Sequence, residues 1–370
     1  MAKIVFSSNT AFSLYNFRLP LMRRLKEMGH TVFAVAPEDK YSHRLRQEFE
    51  FFSIKNLDRK GKNPIKDLKL TLEYLRIYKK TKPDLVVNFT IKPNIYSSIC
   101  AGLLGIPSIS VVTGLGYAFI EKTWLTDIVK NLYKIAFFFN TFVVFLNRED
   151  IDLLKRLAKN KAVLIESEGV DTEFFSPKHC EEKTSEDFTF LFVGRLLKDK
   201  GVYELVRAFE ELKKEFPGVR LAVVGDVDEG NPASVKKQEI EEWERMGLIE
   251  WFGFQEDVRP YHCMADCVVL PSYYREGIPR VLLEAMAMER PIITTDSVGC
   301  RDVCVDGVNG FLVEPKSWES LYEAMKRMVE LSPYQRKAMG AKGRNFVLEK
   351  YDIKLVVSKY LELIEKVKIL

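Results

Sequence analysis

The chain has 370 residues, 47% of them hydrophobic and 29% charged, with a formal net charge of +4. That balance excludes a disordered chain, and the length suggests two domains rather than one. The longest nearly apolar run, Ile135 to Leu146, is interrupted by Asn140 and Thr141 and is too short to cross a bilayer.

In chain order, KIVFSS (3–8) reads as a strand and leads to a helix over about 14–28, closed by Gly29 and His30. The segment MAKIVFSSNT shows no apolar leader, so the chain reads as cytoplasmic. TVFAVAP (31–37), a helix near 41–50 and FFSIKN follow, then a basic segment, 58–69, entering a helix to Lys80. DLVVNFT (84–90) is a strand, IKPNIYSSICAGLLGIP (91–107) a helix, and SISVVTG (108–114) another strand. A helix over 124–139, the strand TFVVFLN, a helix over 149–158 and AVLIES (162–167) close this array. Such alternation gives a parallel sheet with helices on both faces.

Residues 171–187 are polar and Pro-containing, as a linker is. A second array follows: strands at 188–194, 219–226, 249–254, 267–272, 291–296 and 310–315, with helices at 202–215, 234–246, 257–265 and 279–288. Three helical stretches finish the chain. The expected domains are 1–175 and 176–350, with a helix in 351–370 returning to the first. Doubly wound sheets bind ligands at the carboxyl ends of their strands, so two such domains imply a cleft between them lined by strand-end loops.

Charge is uneven. Residues 1–180 hold 28 Lys+Arg against 18 Asp+Glu, and the remainder holds 28 against 34. The basic half suits an anionic partner: a phospholipid surface, a phosphorylated acceptor or a nucleic acid. Residues 122–136 read as an amphipathic helix, with Trp124, Leu125, Ile128, Val129, Leu132 and Ala136 on one face and lysines on the other. That pattern fits either a membrane interface or packing on a sheet. The run Arg59, Lys60, Lys62, Lys66, Lys69 adds attraction to anionic lipid.

Six cysteines without a leader read as reduced thiols. The spacing Cys263-x3-Cys267 and Cys300-x3-Cys304 admits a zinc site, but buried small hydrophobes fit it better. No G-x-G-x-x-G follows the first strand, and TGLGYAF has Phe119 at the third glycine position, which disfavours a nicotinamide dehydrogenase. Asp226-Val-Asp228 meets the D-x-D spacing of a metal on a nucleotide diphosphate, a weak signal.

Two segments carry more. In SYYREGIPRVLLEAMA a strand ends, Pro279 stands at the expected first helical position, and Glu284 follows within the helix. The helix N-terminus suits a phosphate, and Glu284 suits sugar hydroxyls. A capped helix with a surface glutamate is the alternative. Gly194-Arg195 and Lys200-Gly201 put two cations ahead of another helix, where cations are disfavoured by the dipole, so a diphosphate is their better explanation.

The ordered set GRL-x3-KG, VVGD, LPS-x3-EG-x-P-x4-EAMA, PII-T-D and DGVNG-F-LV resembles the family 4 retaining glycosyltransferases of GT-B fold, strongly over 188–315. SLYNFRLP, NFTIKPN, VTGLGYAF and GDVDEGNPAS are similar to a bacterial subgroup that builds lipid-linked oligosaccharides. The resemblance implies an α/β fold of two Rossmann-like domains and a UDP-sugar donor, with no cofactor and no metal. It implies transfer of an N-acetylhexosamine to a polyprenyl-diphosphate-linked acceptor at the inner membrane face, and no nucleic acid partner. Arg195, Lys200 and Glu276 would act on the diphosphate and donor sugar. Gly194, Phe254, Gly277, Ile278 and Glu284 would hold the donor, with the Glu276-x7-Glu284 spacing as the family's paired-glutamate motif. On the acceptor side stand Asn16, Arg18, Lys92, Asn94, Gly114 and Gly116. One departure is that none of His30, His43, His179 or His262 occupies the Thr113–Gly116 loop, where many relatives carry a histidine. A GT-B-fold UDP-sugar epimerase and a non-catalytic sugar-nucleotide-binding subunit are the competing readings.

Overall fold

The computed structural model describes residues 1–58, 63–114, 124–181, 187–274 and 277–367. The chain forms two compact units, Met1–Glu168 with Lys354–Leu370, and Gly169–Ile353.

In the first unit β1 (Lys3–Ser7) is followed by a short helix α1 (Ala11–Ser13), a π-helical turn over Leu14–Arg18, and α2 (Leu19–Glu27). Then come β2 (Thr31–Ala36), α3 (Ser42–Glu48), β3 (Glu50–Ser53), α4 (Pro64–Thr81) and β4 (Leu85–Phe89). A second π-helical turn, Pro93–Ser97, precedes α5 (Ser98–Leu103). The array continues through β5 (Ser108–Val112), α6 (Trp124–Phe139), β6 (Phe142–Phe145), α7 (Arg148–Ala158) and β7 (Ala162–Leu164). The strands form one parallel sheet in the order β3-β2-β1-β4-β5-β6-β7. Every residue of β4 and β5 is buried, as expected of central parallel strands covered on both faces. The order of strands reverses between β1 and β4, which makes their carboxyl ends the switch point of this sheet.

Polar groups on these buried strands are paired. Asn88 Nδ2 donates to Ser98 Oγ at 3.0 Å, Ser98 and Ser110 share a hydrogen bond, and Asn140 Nδ2 donates to Ser98 and Ser108. Tyr74 OH meets Ser7 Oγ at 2.8 Å and fastens α4 to the end of β1. Pairing of this kind fixes which helix lies on which strand, because each orphaned partner would cost about 1–3 kcal/mol.

The face of α6 matches its sequence reading in part. Ala136 is buried, and Val129 and Leu132 pack against the cluster of Tyr133, Phe137, Val112 and Phe145; Tyr133 and Phe137 add to that face, Thr126 is buried too, and Ile128 is exposed. The stretch IAFFF is apolar on all sides, so periodicity alone does not select a face. Residues 59–62 of the basic run lie outside the described residues.

The second unit holds β8 (Thr189–Val193), α8 (Val202–Glu215), β9 (Arg220–Val224), α9 (Lys237–Arg245), β10 (Glu250–Trp251), α10 (Arg259–Met264), β11 (Cys267–Leu270), α11 (Arg280–Ala287), β12 (Ile292–Thr295) and β13 (Gly310–Val313). Helices α12 (Trp318–Glu330) and α13 (Pro333–Lys350) complete it. The parallel sheet runs β10-β9-β8-β11-β12-β13, with its switch point between β8 and β11. The last helix, α14 (Ile353–Glu365), belongs mainly to the first unit, where Val356, Tyr360, Leu363 and Ile364 join the cluster of Ile4, Phe6 and Leu14.

The cysteine reading needs a correction. Cys100, Cys267, Cys300 and Cys304 are buried and free, but Cys180 and Cys263 form a disulfide with Cα atoms 5.1 Å apart. The two residues are 83 positions apart, a pairing that C-x3-C spacing does not announce. It ties the segment after Gly169 to α10.

Beside it, His262 is completely buried, with neither ring nitrogen hydrogen-bonded among the described residues and the Phe175 ring edge-on to it. Burial, reinforced by the nearby Arg290 cation, lowers its pKa from 6.5 to about 3. Within that window the unfolded chain binds a proton that the native ring refuses. Stability therefore falls on acidification, by at most about 1.4 kcal/mol per pH unit. His262→Leu is expected to flatten the slope, as read from denaturant midpoints across the same window.

Candidate active site

The loops after β8 and β11 meet at the second unit's switch point, and backbone contacts lock them together. The amides of Tyr273 and Tyr274 both donate to the Asp199 carbonyl, at 3.0 and 2.9 Å. Gly201 has φ +74, and a Cβ there would stand 2.2 Å from the Pro271 carbonyl oxygen. Only glycine satisfies both demands. Gly201 caps α8, so this contact fixes the Lys198–Lys200 turn and the start of that helix against the end of β11.

Arg195 and Lys200 therefore project from one side of the switch point. Arg195 Nη1 lies 2.8 Å from Asp228 Oδ2, and the same carboxylate oxygen accepts from Asn231 Nδ2 at 2.9 Å. Asp228 is thus an ion-pair partner of Arg195. No group of acidic, histidine or cysteine side chains among the described residues is arranged to hold a metal ion. Lys200 Nζ lies 6.0 Å from the centre of the Tyr274 ring. Gly194 follows β8 directly, its amide bonded to the Val224 carbonyl.

From the other side come Gly277, Ile278 and α11. Among the described residues, neither the Gly277 nor the Ile278 amide has a hydrogen-bond acceptor. Pro279 is the N-cap of α11, not its first helical residue: its ψ of 118° is extended, and Arg280 begins the helix. Glu284 lies one turn further in, with Oε1 3.0 Å from Arg280 Nε. Burial pushes the Glu284 carboxyl above its ordinary range, and Arg280 opposes the shift. Phe254 is exposed beyond β10, two strands from β8. Glu276 lies outside the described residues.

In the first unit, Asn16 and Arg18 fall in the π-helical turn after β1, and Asn94 in the one after β4. Asn16 Nδ2 donates to the Phe12 carbonyl at 3.0 Å. Arg18 is buried, ion-paired with Glu168 and stacked 4.2 Å from the Phe89 ring centre. Lys92 pairs with Asp67 at 2.6 Å, and Tyr96 OH donates to the same carboxylate. Asn94 is buried, and its Nδ2 donates to the Val111 carbonyl at 2.8 Å. Gly114, φ +135, follows β5, and Gly116 lies outside the described residues.

Comparison with known proteins fits this geometry. The family "Glycosyl transferases group 1" matches residues 176–346, and "Glycosyl transferase 4-like" matches residues 3–147. The chain belongs to the group 1, family 4-like glycosyltransferases. It is 27% identical, over 99% of both chains, to the N,N'-diacetylbacillosaminyl-diphospho-undecaprenol alpha-1,3-N-acetylgalactosaminyltransferase of Campylobacter jejuni. It is 28% identical to the UDP-Gal:alpha-D-GlcNAc-diphosphoundecaprenol alpha-1,3-galactosyltransferase of Escherichia coli, over 72% of this chain and 71% of that one. A glycosyltransferase from Rickettsia africae superimposes with a TM-score of 0.82 at 20% identity, covering 100% of this chain and 99% of that chain. Anabaena HepE in complex with UDP-glucose does so with 0.81 at 18% identity, covering 99% and 100%. The fold of this glycosyltransferase is GT-B.

Sequence reasoning missed the partners. Asp228 was visible only as half of a weak metal motif, whereas its place beside Arg195 comes from the loop after β9 folding back on the loop after β8, where the Leu196 amide donates to the Asp226 carbonyl at 3.0 Å. Arg280 had a signal: it stands four residues before Glu284, the spacing at which helical side chains meet.

Gly201→Ala forces a left-handed backbone and a clash with a backbone carbonyl. The substitution is expected to cost about 2–4 kcal/mol and to weaken UDP binding with it. Thermal denaturation and UDP calorimetry on the variant check both effects.

Proposed function

We propose that this glycosyltransferase moves an N-acetylhexosamine, such as N-acetylgalactosamine, from a UDP-sugar to a polyprenyl-diphosphate-linked saccharide, with retention and without metal. The observation that carries the donor half is the locked pair of loops at the β8/β11 switch point. They present Arg195 and Lys200 from one side, and the Gly277 and Ile278 amides with the α11 N-terminus from the other. Cations on one side and, on the other, amides without an acceptor among the described residues at a helix N-terminus are what a diphosphate needs. Glu284, held by Arg280, supplies acceptor oxygens for ribose hydroxyls. Glu276 is given contact with the donor sugar by the family resemblance, in which it pairs with Glu284 as the second glutamate of the motif. Similarity to relatives named for undecaprenyl-diphosphate acceptors supports the acceptor half.

In this reading the acceptor hydroxyl oxygen attacks the anomeric carbon as the bond to the UDP oxygen breaks. Its proton passes to the departing phosphate on the same face, so no enzyme nucleophile is required. The protein positions the reactants and stabilises the leaving diphosphate against an oxocarbenium-like sugar.

The same reading puts the first unit against the inner membrane surface. No helix among the described residues is long and apolar enough to span a membrane. Helix α4 exposes Ile65 (65%), Leu68 (62%) and Leu72 (46%) as a stripe, beside exposed Lys66 and Lys69. Apolar side chains flanked by lysines suit an anionic interface.

Arg195→Ala and Lys200→Ala are each expected to slow transfer by about 2–4 kcal/mol of activation free energy, with little change in melting temperature. Activity should survive EDTA. Near-wild-type turnover of both variants, or full loss on chelation restored by Mn²⁺, overturns the donor assignment.

Binding to anionic liposomes should weaken steeply with salt. It should also fall in Lys66→Glu/Lys69→Glu, at about 1 kcal/mol per charge removed, while UDP affinity is unchanged. Equal liposome binding by variant and wild type rules out attachment through α4.

A further inference from the structure

Thr90, at the carboxyl end of β4, has φ +71. It is the β-branched residue with left-handed backbone among the described residues. Lys82, Lys159 and Glu289 also have positive φ, but each lies at or just past a helix C-terminus, where that conformation closes the helix. Lys316 sits in the turn before α12. Thr90 instead precedes a helix, its carbonyl accepting from the Asn94 amide at 3.0 Å. Left-handed backbone is strained for a β-branched residue, and such strain persists where the surroundings impose it and collects at functional sites.

A second observation points the same way. The Thr90 hydroxyl is shielded from solvent and has no hydrogen-bond partner among the described residues. The adjoining strand ends likewise: Ser8 follows β1, is completely buried, and its hydroxyl is also without a partner. Strands β1 and β4 are paired in register, Ser7 beside Asn88, so Ser8 and Thr90 stand on the two sides of the first unit's switch point. Buried hydroxyls left unpaired at such a place call for a ligand that both donates and accepts.

Charge selects its class. Nearby Lys92 is neutralised by Asp67, and Arg18 by Glu168. The surroundings therefore offer little net positive charge to a diphosphate and match a neutral, hydroxyl-rich group. We propose that Thr90 hydrogen-bonds a sugar hydroxyl of the acceptor saccharide and so sets which acceptor is used. The inference rests on the transferase reading above and adds a specificity-determining contact to it.

The test compares Thr90→Gly and Thr90→Ser with wild type, using UDP-N-acetylhexosamine as donor and polyprenyl-diphosphate-linked N-acetylhexosamine as acceptor. Thr90→Gly removes the hydroxyl and relieves the backbone. It should melt at or above the wild-type temperature, bind UDP as wild type does, and raise the acceptor KM about tenfold. Thr90→Ser keeps the hydroxyl and should stay within about twofold of wild type on the same scale. An acceptor KM unmoved in Thr90→Gly overturns the proposal and leaves the hydroxyl to a bound water. An equal rise in Thr90→Ser overturns it as well, because the hydroxyl is then not the contact. A lower melting temperature with weakened UDP binding in Thr90→Gly makes the residue structural and also overturns it. Wild-type protein that binds no UDP or transfers no sugar refutes the transferase reading itself, a result visible before any variant is made.

Discussion

The arrangement of the second unit depends on one carbonyl. The Asp199 oxygen accepts the amides of Tyr273 and Tyr274, and Gly201 lets the chain pass within contact of Pro271. Loops that leave neighbouring parallel strands diverge toward opposite faces of a sheet, and nothing in the strand pairing holds them together. Here the backbone itself supplies the clasp. Arg195 and Lys200 depend on it because their turn is part of it, and the approach to α11 depends on it because the chain runs from Tyr274 into that helix.

Much of the architecture was legible in the sequence for a definite reason. Central parallel strands are buried on both faces, so they read as apolar runs, and the helices between them read by period. What was lost lies where the local rule gives way. The strand expected over 249–254 is only Glu250–Trp251, because Gly253 takes φ +61 and turns the chain out of the extended conformation. The single helix expected over 91–107 is a π-helical turn followed by a shorter α-helix, and no residue pattern distinguishes the wider turn. The site was legible as residue types at strand ends. Its partners were not, since Asp228, Arg280 and the Cys180–Cys263 bond depend on register or on contacts distant in sequence.

The charge asymmetry of the two halves also takes on a different meaning in three dimensions. Net charge suggested cations waiting for an anion in the first half. Two of the cations expected on its acceptor side are already matched, Arg18 with Glu168 and Lys92 with Asp67. The excess positive charge lies instead on outer surfaces such as α4, whose lysines flank exposed leucines. A sum over sequence thus separates into a neutral interior end of the sheet and a cationic exterior, and these suit different chemistries.

The placement of α14 has a consequence for how the molecule is made. Its residues Val356, Tyr360, Leu363 and Ile364 fill the same core as β1, a strand made some 350 residues earlier. The second unit, Gly169–Ile353, is encoded entirely before them. During translation the first unit must wait with an apolar face uncovered while its neighbour is produced and can fold. The order of emergence is therefore the reverse of the order of completion, and the nascent chain carries a sticky surface for most of its synthesis. A ribosome that stalls late would release a product whose second unit is finished and whose first is not, a species prone to aggregate and to be taken up by chaperones.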